Sequence, residues 1–355
     1  MNLTQRIVLV LILLAASSTA LGQRRGSLSP GGTAPGLDIE EWGTDPINIE
    51  VDNVYFVLFL PDSAAAFTDT LIDFLDQVQI DYQSRYPDFH VIMVNRGEVV
   101  ASTRFERMLG KLERVHWGSD RRNSTERAWM GASGLNTDFG FFIIDRKSQV
   151  QYITGTDNTI PDDLEEILAL VLDDRYDVLL MDRAERYVKP CENSRKVRNF
   201  RQCHMHLDSI IDLDKKIFAK YMLTKFEVML LDEKKKDEAY YYADQLISEC
   251  GDDPNFLMWM TDFILEDPRI SDADRDLDVA MNAAEAAFQG FHENEPAGYA
   301  LLGKVNYHLG NLMKAVEYQE KAWLIARPNS KPEYWRTLIA YKEAARRQGL
   351  LSSAR

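Results

Sequence analysis

Hydrophobic positions in the first half of the chain come as short continuous runs and, between them, at helical spacing. Residues 55–60 (YFVLFL) are uninterrupted apolar sequence, the length of a strand buried on both faces, and Pro61-Asp62-Ser63 stops the run. Phe67, Leu71, Phe74, Leu75, Val78 and Tyr82 then follow helical intervals as far as Pro87, with Asp62 or Ser63 as the cap. A second run, 89–94 (FHVIMV), predicts a second strand. Phe105, Met108, Leu109 and Leu112 after a Thr103 cap predict a short helix, and 126–130 suggests another. Residues 139–145 (FGFFIID) and 149–153 (QVQYI), parted by a turn at 146–148, predict an antiparallel hairpin; Leu164, Ile167, Leu168, Leu170, Val171 and Leu172 make a closing helix. Strand, helix, strand, helix, hairpin, helix is an α/β layered domain, placed at 44–177.

From Val178 the strand signal fades. The stretch 178–206, which contains KPCENSRKVRNFRQCHMH, reads as a connecting segment ending in a basic loop. Helical stretches then come in pairs: 213–231 with 237–248, 254–265 with 273–288, 296–309 with 312–326, followed by 332–347. Paired helices joined by short turns predict an all-α repeat domain over 207–355.

Two stretches of the first domain resemble a known family. FVLFLPDSAAAF matches, without a gap, the place where thioredoxin-like proteins of the TlpA and peroxiredoxin-related kind carry a strand followed by WCxxC. AWMGASGLNTDFGFFIID, 128–145, likewise resembles the AWM-x-AAGQNGIPTAFIVD stretch of bacterial relatives. The resemblance implies a thioredoxin-like fold, and in its register the two redox cysteines fall on Ala64 and Phe67 and the cis-proline on Phe139. Ala64 has no sulfur to attack a disulfide and Phe67 cannot resolve a mixed one. No cysteine precedes Cys191, so no other register restores a thiol. A cis bond before a non-proline costs about 3 kcal/mol, which predicts a trans peptide before Phe139 and a rebuilt substrate-facing loop.

Residues 299–328 resemble a tetratricopeptide repeat. Tyr299, Leu302 and Gly303 stand at its first-helix positions, Gly310 at the turn, Ala315 and Ala322 on the second helix and Pro328 near the end. Asn306 occupies the usual Tyr position and Gln319 a usual aromatic one. Gly303, Ala315 and Ala322 let two helices approach closely while Leu302, Tyr307 and Trp323 fill the remaining gaps. A thioredoxin-like domain followed by such helices resembles a bacterial secreted architecture. It implies an unidentified protein or peptide partner held by the helical domain; the alternative is that these helices mainly cap and stabilise the first domain.

Residues 1–22 carry one charge, Arg6, then an apolar run and small residues at Ala20 and Gly22, the pattern of a cleaved signal peptide. Residues 23–43, with SLSPGGTAPG, read as a flexible linker. The expected location is therefore exported, periplasmic or extracellular, with no transmembrane segment after cleavage. At 355 residues, 45% hydrophobic and 27% charged, the chain has material for about two domains. Its net charge of −15 becomes −16 without Arg6, which argues against nucleic acid or anionic membrane as a generic partner.

In an oxidising compartment Cys191 and Cys203, eleven residues between them, are the natural disulfide, and Cys250 is left over. Arg195, Lys196, Arg198 and Arg201 between those cysteines are either a site for an acidic partner or solvated charge on a stapled crossing. Cys203, His204 and His206 fit no common zinc spacing, and no metal or cofactor is expected. Three functions remain: a redox-inactive thioredoxin-like exported protein acting by protein–protein interaction and no enzyme; a thiol–disulfide oxidoreductase-like protein using Cys191 and Cys203, whose basic neighbours favour thiolate; and an envelope assembly or chaperone factor.

Overall fold

Six strands of the first half share one sheet: Glu41–Trp42 (β1), Val54–Leu60 (β2), Phe89–Arg96 (β3), Val115–Asp120 (β4), Phe139–Ile144 (β5) and Val150–Thr156 (β6), in the order β1-β4-β3-β2-β5-β6. The structure is a computed structural model that describes residues 28–61, 69–83, 85–96, 115–157, 159–291, 295–328 and 330–351. It divides into two units, Met1–Arg183 and Ala184–Arg355.

In the first unit β2 pairs in parallel with β3 and β3 with β4, whereas β1, β5 and β6 run antiparallel to their neighbours. Every residue of β2 is buried, because both faces of the sheet are covered and each needs apolar side chains. One face holds Val54, Phe56, Leu58 and Leu60 against Leu71, Leu75 and Val78 of Asp69–Val78 (α1, continued by the wider turn Gln79–Gln83) and against Leu164, Leu168 and Val171 of Leu164–Leu172 (α3). The other holds Tyr55, Val57 and Phe59 against Trp129 and Met130 of Arg127–Gly131, the wider turn that continues Ser124–Glu126 (α2). A parallel β-α-β unit, a hairpin antiparallel to it and a closing helix on the α1 face are the thioredoxin-like arrangement that the resemblance implied.

Two features of this unit differ from the reading of the sequence. β4 (VHWGSD) carries Gly118, Ser119 and Asp120, poor strand formers, and becomes a strand by pairing along the edge of β3. Residues 28–43 are not a flexible linker: Leu28, Ala34, Leu37, Ile39 and Trp42 pack on the β2 face that carries Trp129, and Trp42 belongs to β1. Backbone bonds fix the segment, Gly31 N to Val150 O at 2.7 Å and Ala34 N to Ser148 O at 2.9 Å. Gly118 has the close approach this needs, since a Cβ there would lie 2.5 Å from Ile39 Cγ2. The expected helix at 103–112, the Asp62 or Ser63 cap and the leader lie outside the described residues.

His90 on β3 stacks on Tyr55 at 5.5 Å and lies 5.7 Å from His116 on β4. Burial, then His116, pulls its pKa below the ordinary 6.5, against Asp88 and Glu50. The unfolded chain therefore binds more protons just below 6.5, and stability contributed by neutral His90 is full above that value and lost as pH falls through the window beneath it. Melting temperatures from pH 7.5 to about 5.5 are expected to fall less steeply for His90→Phe than for the wild type; parallel slopes would overturn this.

The second unit is helical: Val178–Lys196 (α4), within which the division falls, then Phe200–Ile211 (α5), Ala219–Glu227 (α6, continued by Val228–Asp232), Lys236–Glu249 (α7), Pro254–Glu266 (α8), Leu277–Gly290 (α9), Pro296–His308 (α10), Leu312–Ile325 (α11) and Lys331–Arg347 (α12). The expected loop at 189–206 is corrected to two helices, with Asn199 capping α5 by accepting from Gln202 N. Charge hid α4, because a mostly polar helix leaves no apolar stripe to read. The helix expected from 213 starts at Ala219, since Asp214 Oδ1 accepts from Lys216 N and Ile217 N, both at 2.9 Å, and turns the chain first. That expected from 273 starts at Leu277, where Asp276 is the cap. Its alanines Ala280, Ala283, Ala284 and Ala287 are fully buried among Phe256, Leu257, Met260 and Val305.

Candidate functional site

The thiol chemistry implied by resemblance would sit where β2 ends and the next helix begins. Ala64 and Phe67 lie outside the described residues, but the strands that meet there do not. Arg96, the last residue of β3, extends across this edge with all three guanidinium nitrogens engaged. Nε donates to Leu60 O at 3.0 Å, one terminal nitrogen pairs with Glu126 Oε1 at 3.1 Å, and the other donates to Asp138 O at 2.5 Å. Its side chain is 16% exposed and that of Glu126 26%. One planar cation thus ties the end of β2, the residue before β5 and α2 together.

Phe139 opens β5 opposite Thr156 and is buried, 6.5 Å from the Phe141 ring. The peptide before it is trans, and the carbonyl of Phe139 itself accepts from Thr137 Oγ1 at 2.8 Å. Phe139, which the resemblance aligns with the family's proline, is thus held by apolar packing. Arg96 went unnoticed in the sequence, although a charged residue closing the apolar run FHVIMVNR is the signal that could have found it.

In the second unit Cys191 on α4 and Cys203 on α5 come together with their sulfurs 3.1 Å apart; both thiols are free and buried. The expected bridge therefore stands as an unbonded pair, on two helices and not on a loop. The hydrogen bond between the sulfurs, with burial, pushes the Cys191 thiol up, while the same bond pulls Cys203 down. Arg195 pairs with Glu227 at 2.5 Å and Asp232 at 2.6 Å, whereas Lys196, Arg198 and Arg201 are exposed. His204 Nε2 lies 2.8 Å from Glu233. Among the described residues no group of three His, Cys, Asp or Glu side chains is placed to hold a metal ion, and no helix is long and apolar enough to cross a membrane.

The residues singled out in 299–328 fall on the α10–α11 hairpin and its ends. Tyr299 packs on Phe288 at 5.0 Å, and Leu302, Gly303, Ala315 and Ala322 are buried. A Cβ on Gly303 would lie 3.3 Å from Ala315 O, so the two helices touch through that glycine. Gly310 turns the chain with φ 77, and Pro328 is exposed between α11 and α12. Two polar side chains are buried in this hairpin: Asn306 donates to Leu302 O at 2.8 Å and Gln319 to Tyr334 O at 3.0 Å. Lys304 on α10 holds Asp262 at 2.7 Å and Glu266 at 3.2 Å on α8, a pairing no local pattern announces. Burial pushes the Asp262 carboxyl up against the pull of that lysine.

No protein-family model matches the chain, and no curated protein does. Solved structures do. A protein described as the thiol:disulfide interchange protein DsbE of Chlorobium tepidum is 18% identical over 41% of this chain and 99% of its own, with a TM-score of 0.31. The thioredoxin domain of a thiol-disulfide oxidoreductase of Bacteroides vulgatus is 10% identical over 41% and 99%, TM-score 0.32. The mitochondrial 2-Cys peroxiredoxin of Plasmodium falciparum is 16% identical over 40% and 92%, TM-score 0.31. Likeness at this level says nothing of chemistry, and the thioredoxin-like fold of the first unit rests on its strand order and directions.

Proposed function

We propose that this chain is an exported, non-catalytic thioredoxin-like protein that acts by binding another protein through its helical unit. The observation that carries the reading is Arg96: no cysteine precedes Cys191, and the described end of β2, the strand that the resemblance aligns ahead of the family's thiols, is closed by a guanidinium tied to Leu60 O, Asp138 O and Glu126. A group so bonded stabilises a sheet edge and offers no nucleophile. The leader-like residues 1–22 support export to the periplasm or beyond.

Binding is supported by the last helices. Tyr307, Met313, Leu324 and Trp335 are exposed by 38% to 59%, and Tyr307 stacks on Tyr341 at 4.6 Å while Trp335 lies 5.0 Å from Trp323. Exposed aromatic and sulfur-bearing side chains of this kind anchor protein interfaces. The close α10–α11 hairpin through Gly303 fits a tetratricopeptide unit.

The test has two arms. The pure protein with dithiothreitol is expected to reduce insulin disulfides no faster than dithiothreitol alone, and a rate above that background would overturn the non-catalytic reading. In envelope extract, a partner captured by the wild type is expected to be lost with Tyr307→Ala/Trp335→Ala; equal capture would remove this face from the binding role.

A further inference from the structure

We infer that Cys191 and Cys203 close to an intramolecular disulfide that staples α4 to α5 at the start of the second unit. The sulfurs stand 3.1 Å apart, and Cys191 Sγ lies 3.7 Å from the Cys203 carbonyl oxygen. A disulfide bond is about 2.05 Å long, so closure needs an approach of about 1 Å and no separation of the helices. Both sulfurs sit in one apolar cluster with Leu207, Met222 and Phe226, which holds the two helices in register. Arg195, one turn beyond Cys191, favours the thiolate at both sulfurs, and its own position is fixed by Glu227 and Asp232.

Cys250 is a poor competitor. It lies at the end of α7, and burial, then Asp253, Glu249 and Asp252, push its thiol up to about 11. It therefore stays protonated, whereas the hydrogen bond from Cys191 pulls the Cys203 thiol down and makes Cys203 the attacking sulfur.

The oxidant is a low-molecular-weight disulfide, RSSR. A thiolate of the pair attacks one sulfur of RSSR, forming a mixed disulfide and expelling RS⁻. The second cysteine, as thiolate, attacks the protein sulfur of that mixed disulfide, forms the Cys191–Cys203 bond and expels the second RS⁻. The two thiol protons end on the two RS⁻, so two electrons pass from the protein to RSSR, which leaves as 2 RSH. Both sulfurs are buried, which favours a small disulfide over a folded protein as the oxidant that reaches them. The couple is thus a staple and no catalyst; it goes beyond the binding function proposed above and stands or falls separately from it.

The full chain, reduced and then equilibrated in graded ratios of reduced to oxidised glutathione, is denatured, alkylated with N-ethylmaleimide and weighed intact and as peptides. In the oxidising mixtures each molecule is expected to lose two of its three alkylation sites together, with one cross-linked peptide joining Cys191 to Cys203 and Cys250 alkylated. Three alkylatable thiols in oxidising buffer, a cross-link through Cys250, or glutathione accumulating on Cys191 or Cys203 without a cross-link would each overturn the inference. Insulin reduction is not read in this experiment, so a failed staple and a failed non-catalytic reading remain distinguishable.

Discussion

Trp129→Ala is expected to destabilise the first unit by about 3–5 kcal/mol and to release residues 28–43 from the sheet. The indole is fully buried, edge-on to Phe142 at 5.2 Å and 6.0 Å from Phe59, and its Nε1 donates to Gly36 O at 3.3 Å. One side chain thus fills the space between β2, β5 and the N-terminal segment. An alanine leaves a cavity that the rigid strands cannot collapse into, and it removes the bond that holds Gly36. Amide exchange followed by mass spectrometry separates the two consequences. Protection is expected to fall on β2 and β5 and to vanish at Gly31 and Ala34, whose amides are bonded to Val150 O and Ser148 O. Wild-type protection at Gly31 and Ala34 in the variant would show that the segment is held without the indole.

Arg96→Met is expected to cost about 2–4 kcal/mol, although methionine matches much of the apolar stem. The loss takes the guanidinium donor from the part-buried Leu60 O, leaves the exposed Asp138 O to water, and leaves the half-buried Glu126 carboxylate without its cation. Adding Glu126→Gln removes the stranded charge, so the double variant is expected to recover about 1 kcal/mol. Arg96→Lys is expected to rescue little, because a single ammonium cannot reach three acceptors that a planar fork spans. Urea denaturation read on the first unit's amides decides the matter. An unchanged midpoint in Arg96→Met would mean that the clamp contributes nothing and that the sheet edge is held elsewhere.

These two residues mark where local pattern stops being informative. β2, β3, the β5–β6 hairpin and α3 are legible because each declares itself through its own apolar period. So are α8, α10, α11 and α12, which begin and end at residues such as Asp253, Pro254, Pro296 and Gly310. The lack of a cysteine before Cys191 needs no structure at all. By contrast, residues 28–43 have the composition of a linker, and Gly31 and Pro35 say nothing of the open sheet face onto which Leu28, Leu37 and Ile39 settle. β4 is strand because β3 offers an unpaired edge, and α4 is helix despite a polar face.

The central strands, the last helical hairpins and the absence of any cysteine before Cys191 are written in the sequence alone. Tertiary structure decided the N-terminal layer, the Arg96 clamp, the Lys304–Asp262 pair and the meeting of Cys191 with Cys203. The physical reason is the range of the interaction. Periodicity and capping are written within a few residues, so a window of sequence contains both the cause and its effect. A buried indole, a guanidinium across a sheet edge or two sulfurs on neighbouring helices take their meaning from partners far along the chain, and folding alone brings those partners within reach.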